Sequence, residues 1–453
     1  MNLVEWFFHG IPAWAQVLFW IALVLSILNL VSVVTLVVAA GRARRRDRRR
    51  DGRLREAGDL GREDGLLWVF LVPALNEEVT IADSVSRLQQ VRATNAVFLV
   101  IDDGSDDRTG EILATIDDPR LHVLTRVAPE ARVGKAAALN AAFAHLRDAL
   151  LAEPRFARWT PETTVCAIVD ADGRLDPDAP EAVARQLSDP RVGGVQLLVR
   201  IYNRRSPLTW AQDVEFSSFG RVFQAGRSWW GTANMGGNGQ FNRMAALASI
   251  DDGSGPWRDR LTEDQDLGVR LIQQGWAGAQ ENGTAIDQQG LNSLRRLYRQ
   301  RVRWAQGNWQ AMTLLRGVGR PRVPLLGRID SVFYLFTPAL QLLIGVAFIA
   351  SIFFWALRGV PYEPTIWWVL LFFVGVSFGP GLVALVLRGN RWYTPLLALL
   401  QIIPYTIYSW IVFPVLAVSL VRQLAGRTTW AKTARESIDD EDAEYPRSDS
   451  NRH

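Results

Sequence analysis

Four short clusters in this sequence have residue types and spacing suited to chemistry. Asp170-Ala171-Asp172 sets two carboxylates either side of one small residue. Such a pair can offer oxygen ligands to one Mg2+ or Mn2+, an ion that keeps waters and bridges substrate phosphates. Asp102-Asp103-Gly104-Ser105 can hydrogen-bond the ribose or base of a nucleoside, although Asp and Ser are equally expected as the cap of a following helix. Thr262-Glu263-Asp264-Gln265-Asp266 opens a helical stretch. Its acids suit a capping box and the positive end of a helix. In the alternative, Asp264 is a general base, which must reach an acceptor hydroxyl and stay ionised near neutral pH. Gln300-Arg301-Val302-Arg303-Trp304 follows a basic helical stretch. Arg there can grip a diphosphate bidentately, and Trp304 offers a flat amphipathic face to a sugar ring. A membrane-surface helix with snorkelling arginines and a belt tryptophan accounts for the same residues.

The elements that must position these clusters alternate. Apolar runs at 66–74, 96–105 and 163–172 read as buried strands, and each ends in polar or acidic residues. Helical stretches at 79–91 and 135–151 lie between them. Strand, helix, strand with buried apolar strands predicts a parallel α/β sheet. Ligands of such sheets bind beyond the carboxyl ends of the strands, where the acidic clusters fall.

The remaining apolar residues concentrate in long runs at 14–40, 332–357, 366–387 and 395–421. The first is long enough to span ~30 Å of hydrocarbon. It is too long for a cleaved signal peptide and reads as a retained helix. The block GRARRRDRRR, ending at Arg50, marks the cytosolic side and predicts an outside N-terminus. The last run raises a parity problem. A full crossing leaves the tail outside, yet that tail opens with Arg422, Arg427, Lys432 and Arg435, a cytosolic signature. Pro404 and Pro414 interrupt the run, so part of it can lie along the interface. The expected division is an N-terminal membrane helix with its basic flank (1–50), a cytosolic domain ending in an interfacial amphipathic helix (51–310), a membrane region (311–421) and a polar, disordered tail (422–453). A net charge of +4 over 453 residues does not suit nucleic-acid binding. One cysteine, Cys166, excludes an intramolecular disulfide, and four histidines include no pair at metal-ligand spacing.

In chain order VPALNEE, DDGSDD, GKAAALN, DAD, GGNGQFNR, TEDQDLG and QRVRW resemble the membrane-bound family-2 glycosyltransferases, the group of cellulose, chitin, hyaluronan and poly-N-acetylglucosamine synthases. The resemblance covers about 66–308. It implies a nucleotide-sugar-binding α/β domain of the glycosyltransferase A type, with a mostly parallel sheet, plus transmembrane helices. It implies a multi-pass protein of a bacterial plasma membrane with the catalytic domain in the cytosol. Carried over residue by residue, Glu77 and Asp103 hold the nucleoside, usually uridine, and Lys135 lies near the nucleotide. Asp170 and Asp172 bind the diphosphate through Mg2+ or Mn2+, with Asp172 the more direct ligand. Asp264 is the catalytic base, and Gln300 and Arg303 steady the diphosphate. Trp304 floors the acceptor site, with Glu263, Gly237 and Asn238 near the acceptor and donor sugars. The family is inverting, so the implied reaction takes an α-linked UDP-sugar to a β-linkage on a growing glycan. Processive synthesis with export, aided by an accessory subunit, belongs to that picture. Transfer to a polyprenyl phosphate or glycolipid is the alternative. Ala74 departs from relatives with Thr or Tyr there, one helix precedes the domain where several synthases have two, and the C-terminal bundle is small for a secretion channel.

Overall fold

The computed structural model describes residues 12–56, 62–319, 323–358, 379, 381–383, 385–386 and 393–427. The apolar run at 366–387 therefore lies mostly outside the described residues, as does the tail beyond Arg427.

Eight strands form one mixed sheet: β1 (Leu67–Ala74), β2 (Ala96–Asp102), β3 (Leu121–Thr125), β4 (Thr164–Ile168), β5 (Arg174–Leu175), β6 (Val192–Ile201), β7 (Gln240–Arg243) and β8 (Ala277–Gln288). Their order is β3-β2-β1-β4-β7-β6-β8-β5. The pairings β1 with β2, β1 with β4, β2 with β3 and β6 with β8 are parallel. β7 is antiparallel to both its neighbours, and β5 is antiparallel to β8. The three strands anticipated from apolar runs are β1, β2 and β4. β7 escapes that reading because its residues, Gln240-Phe241-Asn242-Arg243, are mostly polar though all buried.

β1 is uniformly apolar because both its faces are covered. Trp68, Phe70 and Val72 face one core with Phe98 and Phe241. Leu67, Val69 and Leu71 face the other with Leu99, Ile168 and Phe143. Each fully buried side chain of this kind contributes about 1.5–3 kcal/mol. The register sets Ala74 beside Asp102 and Leu71 beside Ile168, so β1, β2 and β4 release their chains at one edge.

Among the described residues three helical segments are long and apolar enough to cross a membrane: Gln16–Leu54, Leu325–Ala347 and Thr394–Leu424. The first belongs to one helix, Ala13–Glu56, whose 44 residues extend ~66 Å, well past a bilayer. Its basic end docks on the α/β domain. Arg44 Nη2 donates to the Arg221 carbonyl at 2.8 Å, Arg46 Nη1 to the Ser228 carbonyl at 3.1 Å and Arg50 Nη1 to Gln186 Oε1 at 2.7 Å. The arginine block thus also joins helix to domain. The helix Leu325–Arg358 is tied to the domain by a buried ion pair, Arg227 Nε to Asp330 Oδ2 at 2.7 Å. The last apolar run divides into Thr394–Ser409 and Val412–Leu424, with Pro404 inside the first and Pro414 in the first turn of the second.

Candidate active site

The site forms where β4 ends. The Val169 N–H bonds to the Leu71 carbonyl at 3.0 Å, so the chain leaves β4 held against β1. Asp170 comes next. Its N–H donates to Asn238 Oδ1 at 3.1 Å, and its carboxylate meets Lys135 Nζ at 2.5 Å. Lys135 opens the helix Lys135–Asp148, and its ammonium also lies 3.8 Å from Glu263 Oε1. Glu263 and Asp264 start the helix Glu263–Gln273. Gly237, with φ +83°, faces Asp264 so closely that a Cβ there would lie 2.9 Å from Asp264 Oδ2. Lys135, Asp170, Glu263, Asp264, Gly237 and Asn238, spread over 130 residues of sequence, therefore share one corner.

Burial dominates the charges here. It pushes Glu263 up to about 7, against Lys135 and with help from Asp264. Burial raises Asp264 too, and Lys135 again opposes it. Burial pulls Lys135 down, but Asp170 and Glu263 outweigh it, so the ammonium stays charged. The three acids of the TED segment do not form a capping box. Thr262 makes no side-chain cap bond; its hydroxyl meets Gln265 Oε1 at 3.3 Å, while the Gln265 N–H donates to Asp264 Oδ1 at 2.8 Å. Asp266 turns inward to Arg270 at 2.5 Å. Only the first two acids join the Lys135 corner.

Three glutamines missed by sequence reasoning hold the frame. Gln196 of β6 accepts from the Gly236 N–H at 2.8 Å and donates to the Asn238 carbonyl at 2.8 Å, clamping the glycine turn from both ends. Asn238 Nδ2 donates to Gln288 Oε1 at 3.2 Å, and the Gln289 N–H reaches Asp172 Oδ2 at 3.4 Å. The available signal was Gln196 itself, a polar residue inside the apolar strand VGGVQLLVRI, since buried amides are there to be hydrogen-bonded.

Asp170 and Asp172 suit a hard divalent cation. Among the described residues no group of three or more His, Cys, Asp or Glu is arranged to hold a metal ion by itself. Two carboxylates completed by substrate phosphates and waters is the usual arrangement for Mg2+, and the donor set matches it.

Glu77 and Asp103 occupy a second part of the same sheet edge. The Glu77 N–H donates to Thr109 Oγ1 at 2.8 Å, and its carboxylate accepts from Thr80 Oγ1 at 3.0 Å. Asp103 is buried, its N–H bonded to the Ala74 carbonyl at 2.9 Å and its carboxylate paired with Arg126. Arg126, just beyond β3, carried no sequence signal. The capping reading of the DDGSDD loop does not hold: the next helix, Thr109–Ala114, has Arg108 as its N-cap with no side-chain cap bond, and the loop's acids close turns before it, Asp102 accepting from the Ser105 N–H at 2.9 Å and Asp107 from the Thr109 N–H at 2.9 Å.

The QRVRW segment lies on the helix Leu294–Ala311. That helix seats against the TED segment where Gly307 meets Thr262; a Cβ on Gly307 would fall 2.3 Å from Thr262 Oγ1. Arg303 is near enough for its charge to lower the Glu263 pKa. Gln300 is buried and accepts from Arg301 Nη1 at 3.3 Å. Trp304 lies under Arg301, whose guanidinium is 4.2 Å from the ring centroid, and meets Phe216 edge-on at 6.2 Å.

Comparison with known proteins agrees with this layout. The sequence pattern of Glycosyl transferase family group 2 matches residues 165–422, and that of Glycosyl transferase family 2 matches 69–250. The chain is 31% identical over 247 residues to beta-monoglucosyldiacylglycerol synthase of Trichormus variabilis, covering 53% of this chain and 48% of that one. It is 28% identical over 245 residues to poly-beta-1,6-N-acetyl-D-glucosamine synthase of Staphylococcus aureus, covering 54% and 55%. It thus spans about half the length of the curated relatives it matches. The mannosyltransferase PcManGT from Pyrobaculum calidifontis, solved with GDP-Man and Mn2+, superposes with TM-score 0.53 at 16% identity, over 90% of this chain and 99% of that one. At that identity the likeness concerns the fold alone. Matched over more than half its length, with its motifs gathered at one sheet edge, the chain belongs to Glycosyl transferase family group 2.

Proposed function

We propose that the protein transfers a sugar from a UDP-sugar to an acceptor hydroxyl at a membrane, with inversion, and that Asp264 is the base. The observation that carries this is Asp264 itself: half-buried at a helix start, backed by Gly237 and facing the Lys135–Asp170 pair. In this reading Asp264 takes the acceptor proton. The acceptor oxygen bonds to the sugar C1 as the C1–O bond to the diphosphate breaks, and UDP leaves with that electron pair. Lys135 and Arg303 bring positive charge to the departing diphosphate, where preorganised charge is worth most. Asp170 and Asp172 would hold Mg2+ or Mn2+, which when bound neutralises developing phosphate charge. Glu77 and Asp103 hold the nucleoside, with Asp103 oriented by Arg126. Gln300 steadies the diphosphate, and Trp304, pinned by Arg301, floors the acceptor site beside Glu263, Gly237 and Asn238.

The acceptor we favour is a growing β-linked glycan. The likeness to the Staphylococcus aureus synthase supports it, and processive elongation with export across a bacterial plasma membrane extends it. The likeness to the Trichormus variabilis enzyme supports a second reading, a glycolipid acceptor. The test is UDP release by purified, lipid-reconstituted protein with UDP-Glc, UDP-GlcNAc, UDP-GlcA and UDP-Gal. The labelled product is then sized and partitioned into chloroform. High-mass aqueous label supports the glycan, and chloroform-soluble label supports the lipid. Asp264→Asn should cut turnover about 10²–10⁴-fold, the range of general-base catalysis, while UDP binding persists. Turnover within twofold of the unaltered enzyme would refute the base assignment.

A further inference from the structure

We infer that the segment from Thr394 to Arg427 does not cross the membrane but lies along its interface on the side of the transferase domain, with its outer face in lipid. Length and composition alone make this segment a possible span. Its contacts argue otherwise. The helix Val412–Leu424 is 13 residues, ~20 Å long, short of the ~30 Å a span needs. It runs beside the helix Leu294–Ala311 for most of its length. Tyr298 Oη donates to the Pro414 carbonyl at 3.4 Å, Trp309 Nε1 to Ser419 Oγ at 3.0 Å and Gln306 Nε2 to the Arg427 carbonyl at 2.7 Å. Val302 and Ala305 share an apolar cluster with Val415 and Leu416. The partner helix exposes Arg295, Arg296 and Arg299. Each arginine at the centre of a bilayer costs at least ~2.5 kcal/mol. That helix belongs outside the hydrocarbon, and the helix lying along it goes with it, its N-terminal Val412 and Phe413 reaching Leu342 and Gly345 of the helix Leu325–Arg358.

The preceding helix, Thr394–Ser409, stays with the domain too. Tyr408 Oη donates to Glu215 Oε2 at 2.6 Å, and Ala398 and Ile402 cluster with Val214, where Glu215 and Val214 belong to the domain helix Pro207–Ser218; Leu382 and Leu385 join the same cluster. Its other face shows Leu396, Leu400, Ile403 and Ile407, one stripe at helical spacing, exposed by 59–72%. Val421 and Leu424 continue the exposed apolar surface. One face on the domain and one bare apolar face is the pattern of a helix lying in the headgroup boundary. The placement removes the parity conflict, because Arg422 and Arg427 then remain on the domain's side.

The experiment uses the full chain in vesicles. Leu396, Leu400, Ile403, Ile407, Val421 and Leu424 are changed singly to Cys and nitroxide-labelled, with Ile349→Cys as the deep reference on the helix Leu325–Arg358. Cys166 is fully buried in β4 and stays unlabelled. Relative accessibility to oxygen and to a water-soluble nickel chelate gives each label's depth. The expected profile is uniform and shallow, ~5–10 Å below the phosphates. A tag after His453 should be removed by protease in vesicles whose transferase domain faces the protease. A profile that deepens to the level of Ile349 and returns, or a tag protected in those vesicles, would overturn the inference.

Discussion

Gly237→Ala isolates the geometry around Asp264. Gly237 has φ +83°, and an added Cβ would lie 2.9 Å from Asp264 Oδ2. Two costs follow. Alanine in the left-handed region loses about 1–2 kcal/mol. The contact is also too short, so the carboxylate must move by several tenths of an ångström. Misplacing a reacting group by ~1 Å can cost ~10²-fold in rate, so a fall in kcat of about 10–100-fold is expected. Gly253→Ala is the control. Its φ is +98°, and nothing lies within 4 Å of its added Cβ, so it carries the backbone cost alone. At ~2–4 °C per kcal/mol for a domain of this size, both variants should lose ~2–8 °C in Tm. UDP release at saturating donor and acceptor gives kcat, calorimetry gives UDP affinity, and thermal unfolding gives Tm. Gly237→Ala should lose rate with UDP affinity intact, while Gly253→Ala keeps its rate. If the two variants lose Tm equally and keep equal kcat, Asp264 is not the reactive carboxylate.

Three further outcomes follow from the same corner and its support. Activity should fall as pH drops through the raised pKa values of Glu263 and Asp264, because the base must be ionised; Lys135→Met removes the charge opposing both and should move that acid limb to higher pH. The stability sign is opposite. Glu263 has its pKa raised in the folded state, so its contribution is complete below about 4.5 and is lost as pH rises towards about 7, which urea unfolding across that window would register. Asp172→Ala should abolish metal-stimulated turnover in a protein that still folds, the lost bond to the buried Gln289 N–H costing about 1–3 kcal/mol; full activity in the presence of chelator would refute the metal assignment. Arg227→Ala strands Asp330 in a buried site and should cost about 3–5 kcal/mol, whereas Arg227→Met with Asp330→Leu should recover most of the lost Tm.

Much of this protein was legible in one dimension. Apolar runs buried on both faces can hardly be anything but central strands, so β1, β2 and β4 and the acids at their ends could be read directly. Long uncharged runs likewise announced helices fit for a membrane. Chemistry carried by a residue's own type, such as the Asp170-Ala-Asp172 pair or Asp264 in its TED segment, was equally visible. Three-dimensional contact decided the rest. Whether Thr262 capped its helix depended on where Gln265 and Gly307 fell. Which acids faced Lys135 was set by helix phase, which turned Asp266 inward to Arg270 and left Glu263 and Asp264 in the corner. Gln196 could be noticed only as a polar residue inside an apolar strand, while Gln288 and Arg126 were unreadable because amides and arginines serve in any surface, and only register across a sheet makes them frames for a site. The strand β7 was missed because its polar side chains are buried by neighbours that arrive from distant parts of the chain. For the segment 394–427, hydropathy specified an apolar surface; only the partner lying along its other face decides whether that surface crosses the bilayer or rests in it.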